Sequence, residues 1–144
     1  MELKVVVSDP ETGKSYQREV KDDRARHMKG LKIGSEFDGA VVGLSDYKLV
    51  LTGGSDKSGF PMKKGVHGMA REKVLTKGGV GYNPIKKERI RKRVRAEVVA
   101  EDIAQVNAKI VKKGKVTVEE AFGIKKEEKA EGQPAEQKPE EQKT

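Results

Sequence analysis

The chain has 144 residues, of which 38% are charged and 4% aromatic, and its formal net charge is +8. This length predicts one compact unit with a small aliphatic core plus appendages. The absence of cysteine excludes disulfides, thiolate metal sites and a cysteine nucleophile. No apolar run reaches the roughly 18 residues of a membrane helix, and the N-terminus is too charged for a signal peptide, so we expect a soluble, cytoplasmic protein.

The first predicted elements are two short strands. The apolar run 3–7 and the segment 14–20 flank the cluster 8–13, which is rich in turn-forming residues. This pattern is typical of an antiparallel hairpin.

A short helical turn is expected over residues 22–30, with Asp22 and Asp23 capping its free N–H groups and Gly30 allowing the chain to reverse. Beyond it, apolar clusters alternate with glycines, which indicates further short strands. The apolar members are Phe37, Val41, Val42, Leu44, Tyr47, Leu49, Leu51, Val74 and Leu75. We therefore predict a mainly β fold, a small closed or partly open β-barrel, because closure removes exposed sheet edges.

The segment 97–111 fits two kinds of element. A helical face would comprise Val99, Ile103, Val106 and Ile110, whereas apolar alternation over 104–111 is typical of a strand, which we favour. At 117–120 the residues match a capping box, in which Thr117 accepts from the third helical N–H and a glutamate reaches back. A short helix around Ala121 is therefore expected.

The positive charge is concentrated between residues 56 and 95. This window holds 13 Lys and Arg against three acids, an excess of +10, while the rest of the chain sums to about −2. Such a local excess concentrates a polyanion on one face. Within it, the strip 86–95 has seven cations, and on an extended chain alternate arginines would form one nearly continuous guanidinium row.

Nucleic acid is the polyanion we favour, because arginine can bind two phosphate oxygens at once. The alternative is a solvated surface strand or a basic linker. The candidate RNA-binding residues are Lys57, Lys63, Lys64, His67, Arg71, Lys77, Tyr82, Lys86, Lys87, Arg89, Arg91, Lys92, Arg93 and Arg95. Phe60 and Tyr82 lie in glycine-rich loops, where each ring could either stack on a base or pack in the core.

Enzyme motifs are not found. The glycine-rich loops lack the Lys-Ser/Thr of a P-loop, and no G-x-G-x-x-G opens a helix after a strand. His27 and His67 have no acid cluster at metal-ligand spacing and no supported triad partners. We expect no catalytic residue, no metal and no cofactor.

Six sequence blocks together resemble one known family. They are S-D-P-x-T-G-K-S-Y at 8–16, L-x-I-G at 31–34, T-G-G-S-D-K-x-G-F-P-M at 52–62, V-H-G at 66–68, G-G-V-G-Y at 78–82 and A-E-D-I at 100–103. Over residues 1–113 the chain is similar to small-subunit ribosomal protein six of the archaeal and eukaryotic type. The resemblance implies a structural constituent of the small ribosomal subunit, with a β-barrel body and basic extensions held against ribosomal RNA.

The chain departs from the eukaryotic members at its C-terminus. Those members continue into a long basic helix with phosphorylated serines, whereas this chain has no serine after Ser58. Regulatory phosphorylation is therefore not carried over, and the short form looks archaeal. Residues 125–144 contain 5 cations, 6 acids and no aliphatic residue larger than alanine, so we expect a disordered tail.

The predicted organisation is a β-barrel RNA-binding body over 1–85, an extension over 86–124 and the tail over 125–144. The extension would hold the basic strip, a strand and a short helix. The expected partners are ribosomal RNA and neighbouring small-subunit proteins, with no membrane and no small-molecule substrate. One alternative is a free RNA-binding barrel, such as a translation factor or RNA chaperone. Another is an enzyme that acts on RNA, for which the sequence contains no candidate set of acid, base or metal-binding residues.

Overall fold

The computed structural model describes residues 2–85 and 88–123, which form a five-stranded sheet and a separate two-stranded ribbon. The strands are β1 (Glu2–Ser8), β2 (Ser15–Lys21), β3 (Glu36–Asp38), β4 (Lys48–Asp56), β5 (Arg71–Thr76), β6 (Ile90–Arg95) and β7 (Ile103–Lys112). The helices are α1 (Asp22–Arg26), a 3₁₀ helix (Gly39–Val42) and α2 (Val118–Ala121).

The large sheet has the strand order β2-β1-β7-β4-β3. Its pairs are antiparallel except β1 with β7, which run parallel. The sheet curls into a half-barrel, so the prediction of a mainly β, partly open barrel is confirmed. The predicted N-terminal hairpin is also confirmed, as β1 and β2.

Strand β7 lies at the centre of this sheet, between β1 and β4. The strand prediction for 104–111 is therefore confirmed, and the helical alternative for these residues is wrong. Ile103, Val106, Ala108 and Ile110 are buried because β7 has a neighbour on each side and the core below. Strand β7, which we expected in the extension over 86–124, thus shares a sheet with strands of the predicted body over 1–85.

The core is mainly aliphatic and combines side chains from several strands of the curled sheet. Leu3, Val5 and Val7 of β1 belong to one buried cluster with Leu49 and Leu51 of β4, and all five are completely buried. Their alternation along each strand places these side chains on one face of the sheet.

Close backbone approach stabilises the contact between β4 and β7. The register shifts between Leu51 and Gly53, and Gly54 lies directly against the backbone of β7. A Cβ atom at Gly54 would overlap the carbonyl oxygen of Gln105, so this position has room only for glycine.

The capping predictions are wrong, although the two short helices are present. Helix α1 begins at Asp22, so its N-cap is Lys21, which makes no capping side-chain hydrogen bond. Thr117 is the N-cap of α2, but its side chain makes none either. Packing stabilises α2 instead, because Val118 is buried and the Phe122 ring stacks on Tyr16 with centroids 5.4 Å apart.

The apolar cluster at Val41 and Val42, which we expected in a strand, forms the 3₁₀ helix instead. The Asp38 carboxylate accepts a hydrogen bond from the Ala40 amide at 3.3 Å, and Gly43 ends the turn with a left-handed φ of 82°. Val42 is still buried in the core. The apolar pattern thus predicted its burial correctly but not its secondary structure.

Within 2–85 and 88–123, no helix is long and apolar enough to cross a membrane. The predicted disordered tail over 125–144 lies outside the described residues, and so do the candidates Lys86 and Lys87.

Candidate nucleic-acid interface

The two-stranded ribbon carries most of the cations in the described part of the basic window. Strands β5 and β6 are antiparallel, and their register pairs Arg71 with Arg95, Lys73 with Arg93 and Leu75 with Arg91. Directly opposed residues of an antiparallel pair point to the same side. One side of the ribbon therefore bears five cations and one leucine, with no acid.

The other side of the ribbon, called the covered side, packs in part on the protein, although Glu72 and Lys92 on this side are exposed. Val94 is completely buried, and Val74 packs against the small cluster of Val66, Val94 and Ala96. Thr76, also on this side, is 5% exposed. Because these residues pack on the loop before β5, the cationic side must face away from it. We call Lys73, Leu75, Arg91 and Arg93 the outward face.

At the base of the ribbon, Arg71 is held by an ion pair with Asp56. Its Nε lies 2.6 Å from Oδ2 of Asp56, its Nη2 lies 2.9 Å from the Ser58 hydroxyl, and its guanidinium lies 5.0 Å from the Phe60 ring centroid. Phe60 is therefore half-buried beneath an arginine. Arg71 connects β5 to the end of β4.

The Asp56 carboxylate is buried but well satisfied, since it also accepts from the amides of Ser58 and Phe60. Burial raises the pKa of Asp56, but the hydrogen bonds from Phe60, Arg71 and Ser58 outweigh burial and leave the pKa below its ordinary value. Asp56 therefore stays ionised opposite Arg71.

Arg95 does not lie in the exposed row that we expected for the strip. Its side chain is only 6% exposed, and its Nη2 lies 2.7 Å from Oδ1 of Asp102. Its amide donates to the Pro61 carbonyl, and its own carbonyl accepts from Lys63. Arg95 is therefore enclosed between the segment 61–63 and Asp102, whereas the alternation of the strip predicted an exposed arginine at this position.

The candidate His67 makes a local contact within the protein. Its Nδ1 lies 3.1 Å from Oε1 of Glu97, yet its side chain is 88% exposed. The hydrogen bond from the Gly65 amide lowers the pKa of Glu97, burial opposes this, and His67 lowers the pKa further, so the net shift is downward. The ring is thus positioned while still facing solvent.

Two further candidates are held by neighbours. The Lys63 Nζ donates to the Thr76 hydroxyl at 3.1 Å, and the Lys92 Nζ lies 5.6 Å from the centroid of the Tyr82 ring. The Tyr82 hydroxyl donates to the Glu88 carbonyl at 3.3 Å, and the ring is half-buried. Tyr82 thus packs beside Lys92.

The remaining described candidates are exposed: Lys57, Lys64, Lys77, Arg89, Arg91 and Arg93. Their side chains make no ion pair or hydrogen bond with any residue in the described ranges. These cations are therefore available to an external anion.

Lys73 was missed by the sequence reasoning. It is exposed, lies directly opposite Arg93, and likewise has no side-chain partner among residues 2–85 and 88–123. The alternation of Arg71 and Lys73 could have predicted two cations on one face of a strand. The neighbouring Val74 and Leu75 indicated a buried apolar cluster instead.

Metal binding has no candidate cluster in the described ranges. No group of three or more His, Cys, Asp or Glu side chains there could hold a metal ion. The fold and the site together define a half-barrel β protein that carries a cationic two-stranded ribbon.

Comparison with known proteins gives the family. Residues 3–123 match the family model described as Ribosomal protein S6e, and the chain belongs to this family. The resemblance seen in the sequence blocks is thereby confirmed.

The chain is similar over nearly its whole length to archaeal proteins named Small ribosomal subunit protein eS6. That of Methanosphaera stadtmanae is 50% identical over 132 residues, covering 91% of this chain and 100% of the relative. That of Methanothermobacter thermautotrophicus is 50% identical over 128 residues, covering 88% and 100%. That of Haloarcula marismortui is 44% identical over 123 residues, covering 85% and 95%.

Proposed function

We propose that this protein is a non-enzymatic structural constituent of the small ribosomal subunit and binds ribosomal RNA through its cationic ribbon and adjoining loops. The observation that carries the proposal is the outward face, where Lys73, Arg91 and Arg93 are exposed without a partner among the described residues. Family membership and the names of the relatives support the ribosomal assignment.

Like charges placed directly opposite each other destabilise a strand pair, and Lys73 faces Arg93 in this way. A phosphate backbone offsets this repulsion by placing negative charge between the cations. Contacts of this kind fix the position of a protein on nucleic acid and carry no sequence information.

The predicted site residues divide into two groups under this proposal. Arg71, Arg95 and Lys63 are engaged within the protein and hold the ribbon in place. The exposed cations Lys57, Lys64, Lys77, Arg89, Arg91 and Arg93, with Lys86 and Lys87, contact phosphates. Lys92 contacts the RNA backbone from the covered side of the ribbon, and His67 and Tyr82 contact sugar or base from the flanking loops.

The protein then acts in translation as part of a cytoplasmic ribonucleoprotein, beside other small-subunit proteins and without a cofactor. The direct test is co-sedimentation of tagged protein with ribosomal subunits. We expect one copy per small subunit, retained in moderately high salt. Release by the same salt wash would instead identify a free RNA-binding barrel, such as a translation factor or RNA chaperone.

Salt dependence tests the electrostatic part of the proposal. For six to ten phosphate contacts, raising the salt from about 50 to 200 mM should weaken RNA binding by roughly 10³- to 10⁵-fold, by analogy with DNA. An affinity that hardly changes with salt would contradict binding through phosphates.

A further inference from the structure

We infer that the outward face of the ribbon binds the phosphate backbone of double-helical RNA, independently of base sequence. This inference rests on the proposed function and narrows it to one surface and one class of RNA. Lys73, which the sequence did not single out, is central to it.

The first argument is the arrangement of charge. In a β-ribbon, side chains on one face recur about every 6.8 Å along a strand, and neighbouring strands lie about 4.8 Å apart. Lys73 and Arg93 are opposed across the two strands, and Arg91 follows on the same face. The structure thus presents two cations in a row on β6 beside one cation on β5, a fixed arrangement that matches a backbone of regular geometry better than a flexible strand.

The second argument is the absence of a stacking platform on that face. Proteins that bind single strands stack unpaired bases on aromatic rings. The outward face has no aromatic residue, and the ring of Tyr82 lies beside Lys92, whose position belongs to the covered side of the ribbon. An unpaired base therefore has no ring to stack on at the outward face.

The third argument concerns Leu75, the one uncharged member of the outward face. Its side chain is 56% exposed and its position is opposite Arg91. The shallow minor groove of an RNA duplex displays sugars beside its phosphates, so an aliphatic side chain among cations has a surface to contact there. A site that bound only through charge would gain nothing from the Leu75 side chain.

The fourth argument is anchorage. Arg71 is paired with Asp56 and Arg95 with Asp102, so both strands of the ribbon are tied to the body at their base. When a surface already has one fixed geometry before binding, the entropy lost on binding is smallest if the partner is rigid too. A duplex satisfies this condition and a flexible single strand does not.

The test measures fluorescence anisotropy of full-length protein with an RNA duplex of about 20 base pairs, long enough to present two successive minor grooves. The same strand alone, unable to fold, and a duplex of different sequence are measured beside it. We expect the duplexes to bind equally, and about tenfold or more tighter than the single strand. A single strand bound as tightly as the duplex overturns the inference but leaves RNA binding intact.

The double variant Lys73→Gln, Arg93→Gln locates the site. Each lost phosphate contact should lower the slope of log affinity against log salt by about 1, so we expect a decrease of about 2 and roughly tenfold weaker duplex binding. The matched control is Lys21→Gln, Arg24→Gln, which removes the same charge from exposed residues outside the ribbon. Equal weakening by both double variants would show that the outward face is not the site.

A second pair of variants tests the face by adding an acid. Leu75→Glu should weaken duplex binding at least tenfold, whereas Val111→Glu, at a strand residue 55% exposed outside the ribbon, should leave it nearly unchanged. An equal response to the two would overturn the inference. If the wild-type protein binds none of the RNAs, the proposed function itself fails, which is distinct from failure of the duplex preference.

Discussion

The guanidinium Nε of Arg71 lies 2.6 Å from Oδ2 of Asp56, and this contact joins the first residue of β5 to the last residue of β4. The Asp56 side chain is completely buried, whereas that of Arg71 is 34% exposed. One cation of the basic window thus serves to attach the ribbon rather than to meet a ligand. The role of each cation in the basic window therefore depends on whether it has a partner within the protein.

Replacing Asp56 by asparagine tests this attachment. Removing one partner of a buried ion pair costs about 3–5 kcal/mol, and because Arg71 is partly exposed we expect about 2–3 kcal/mol here. Urea unfolding measures the loss. The control Glu72→Gln removes an exposed carboxylate next to Arg71 in β5 and should change the stability by less than about 0.5 kcal/mol.

The same carboxylate predicts an acid dependence of stability. The pKa of Asp56 is lower in the folded protein than its ordinary value of 3.8, so folding favours its ionised form. Its contribution is fully present above that ordinary value and is lost as the pH falls through the lower folded pKa. Unfolding free energies measured across this range should fall less steeply in Asp56→Asn than in the wild type. Parallel curves for the two proteins would contradict the account.

Gly54 and Gly53 form a matched pair for testing backbone packing. A Cβ at Gly54 would overlap the Gln105 carbonyl and lie 3.1 Å from the Met62 sulfur, whereas at Gly53 nothing lies within 4 Å. We expect Gly54→Ala to cost about 2–3 kcal/mol, because the strand backbone must shift. Gly53→Ala should be neutral within about 0.5 kcal/mol. Thermal melts compare the two, and equal destabilisation would argue against the close approach of β4 and β7.

Arg95 and Arg93 test the division between anchoring and binding cations. Arg95→Gln breaks the pair with Asp102 and should cost about 2–3 kcal/mol of stability. Arg93→Gln removes an exposed side chain and should leave stability within about 0.5 kcal/mol while weakening RNA binding. Urea unfolding and anisotropy on both variants separate the roles. If Arg93→Gln destabilised the protein as much as Arg95→Gln, the division would be wrong.

Lys73→Glu should move stability and RNA binding in opposite directions. It converts the like-charged pair with Arg93 into an opposite-charged one, which is worth about 0.2–1 kcal/mol in a strand pair. The free protein should therefore become slightly more stable while its affinity for RNA falls. Lys73→Gln is the control and should lie between the two in both measurements.

Phe122→Ala tests the docking of α2. The ring stacks on Tyr16 and lies 5.8 Å from the Arg18 guanidinium. Because the ring is half-buried, we expect a loss of about 1–3 kcal/mol. The near-ultraviolet circular dichroism of tyrosine should change with it. Val116→Ala, at a side chain 49% exposed, should leave both measurements nearly unchanged.

Local patterns were sufficient for several elements of the fold. The cluster of turn-forming residues after β1 predicted the first hairpin. Alternation predicted β7, because the pleat of a strand repeats every two residues. The capping prediction at Thr117 failed, and α2 is stabilised by packing of Val118 and Phe122 instead of a side-chain cap. The Val41 and Val42 cluster shows that an apolar pair specifies burial without specifying its element.

By itself, the sequence determined the charge window, the mainly β character and the family blocks, since each depends on residues that are near one another in the chain. Only the tertiary structure decided which cations are free. Arg95 is enclosed because Asp102 and the Pro61 segment lie against it, and Lys73 reaches the outward face because strand register places it opposite Arg93. Pairing and burial arise from contacts between distant segments, which no local pattern encodes.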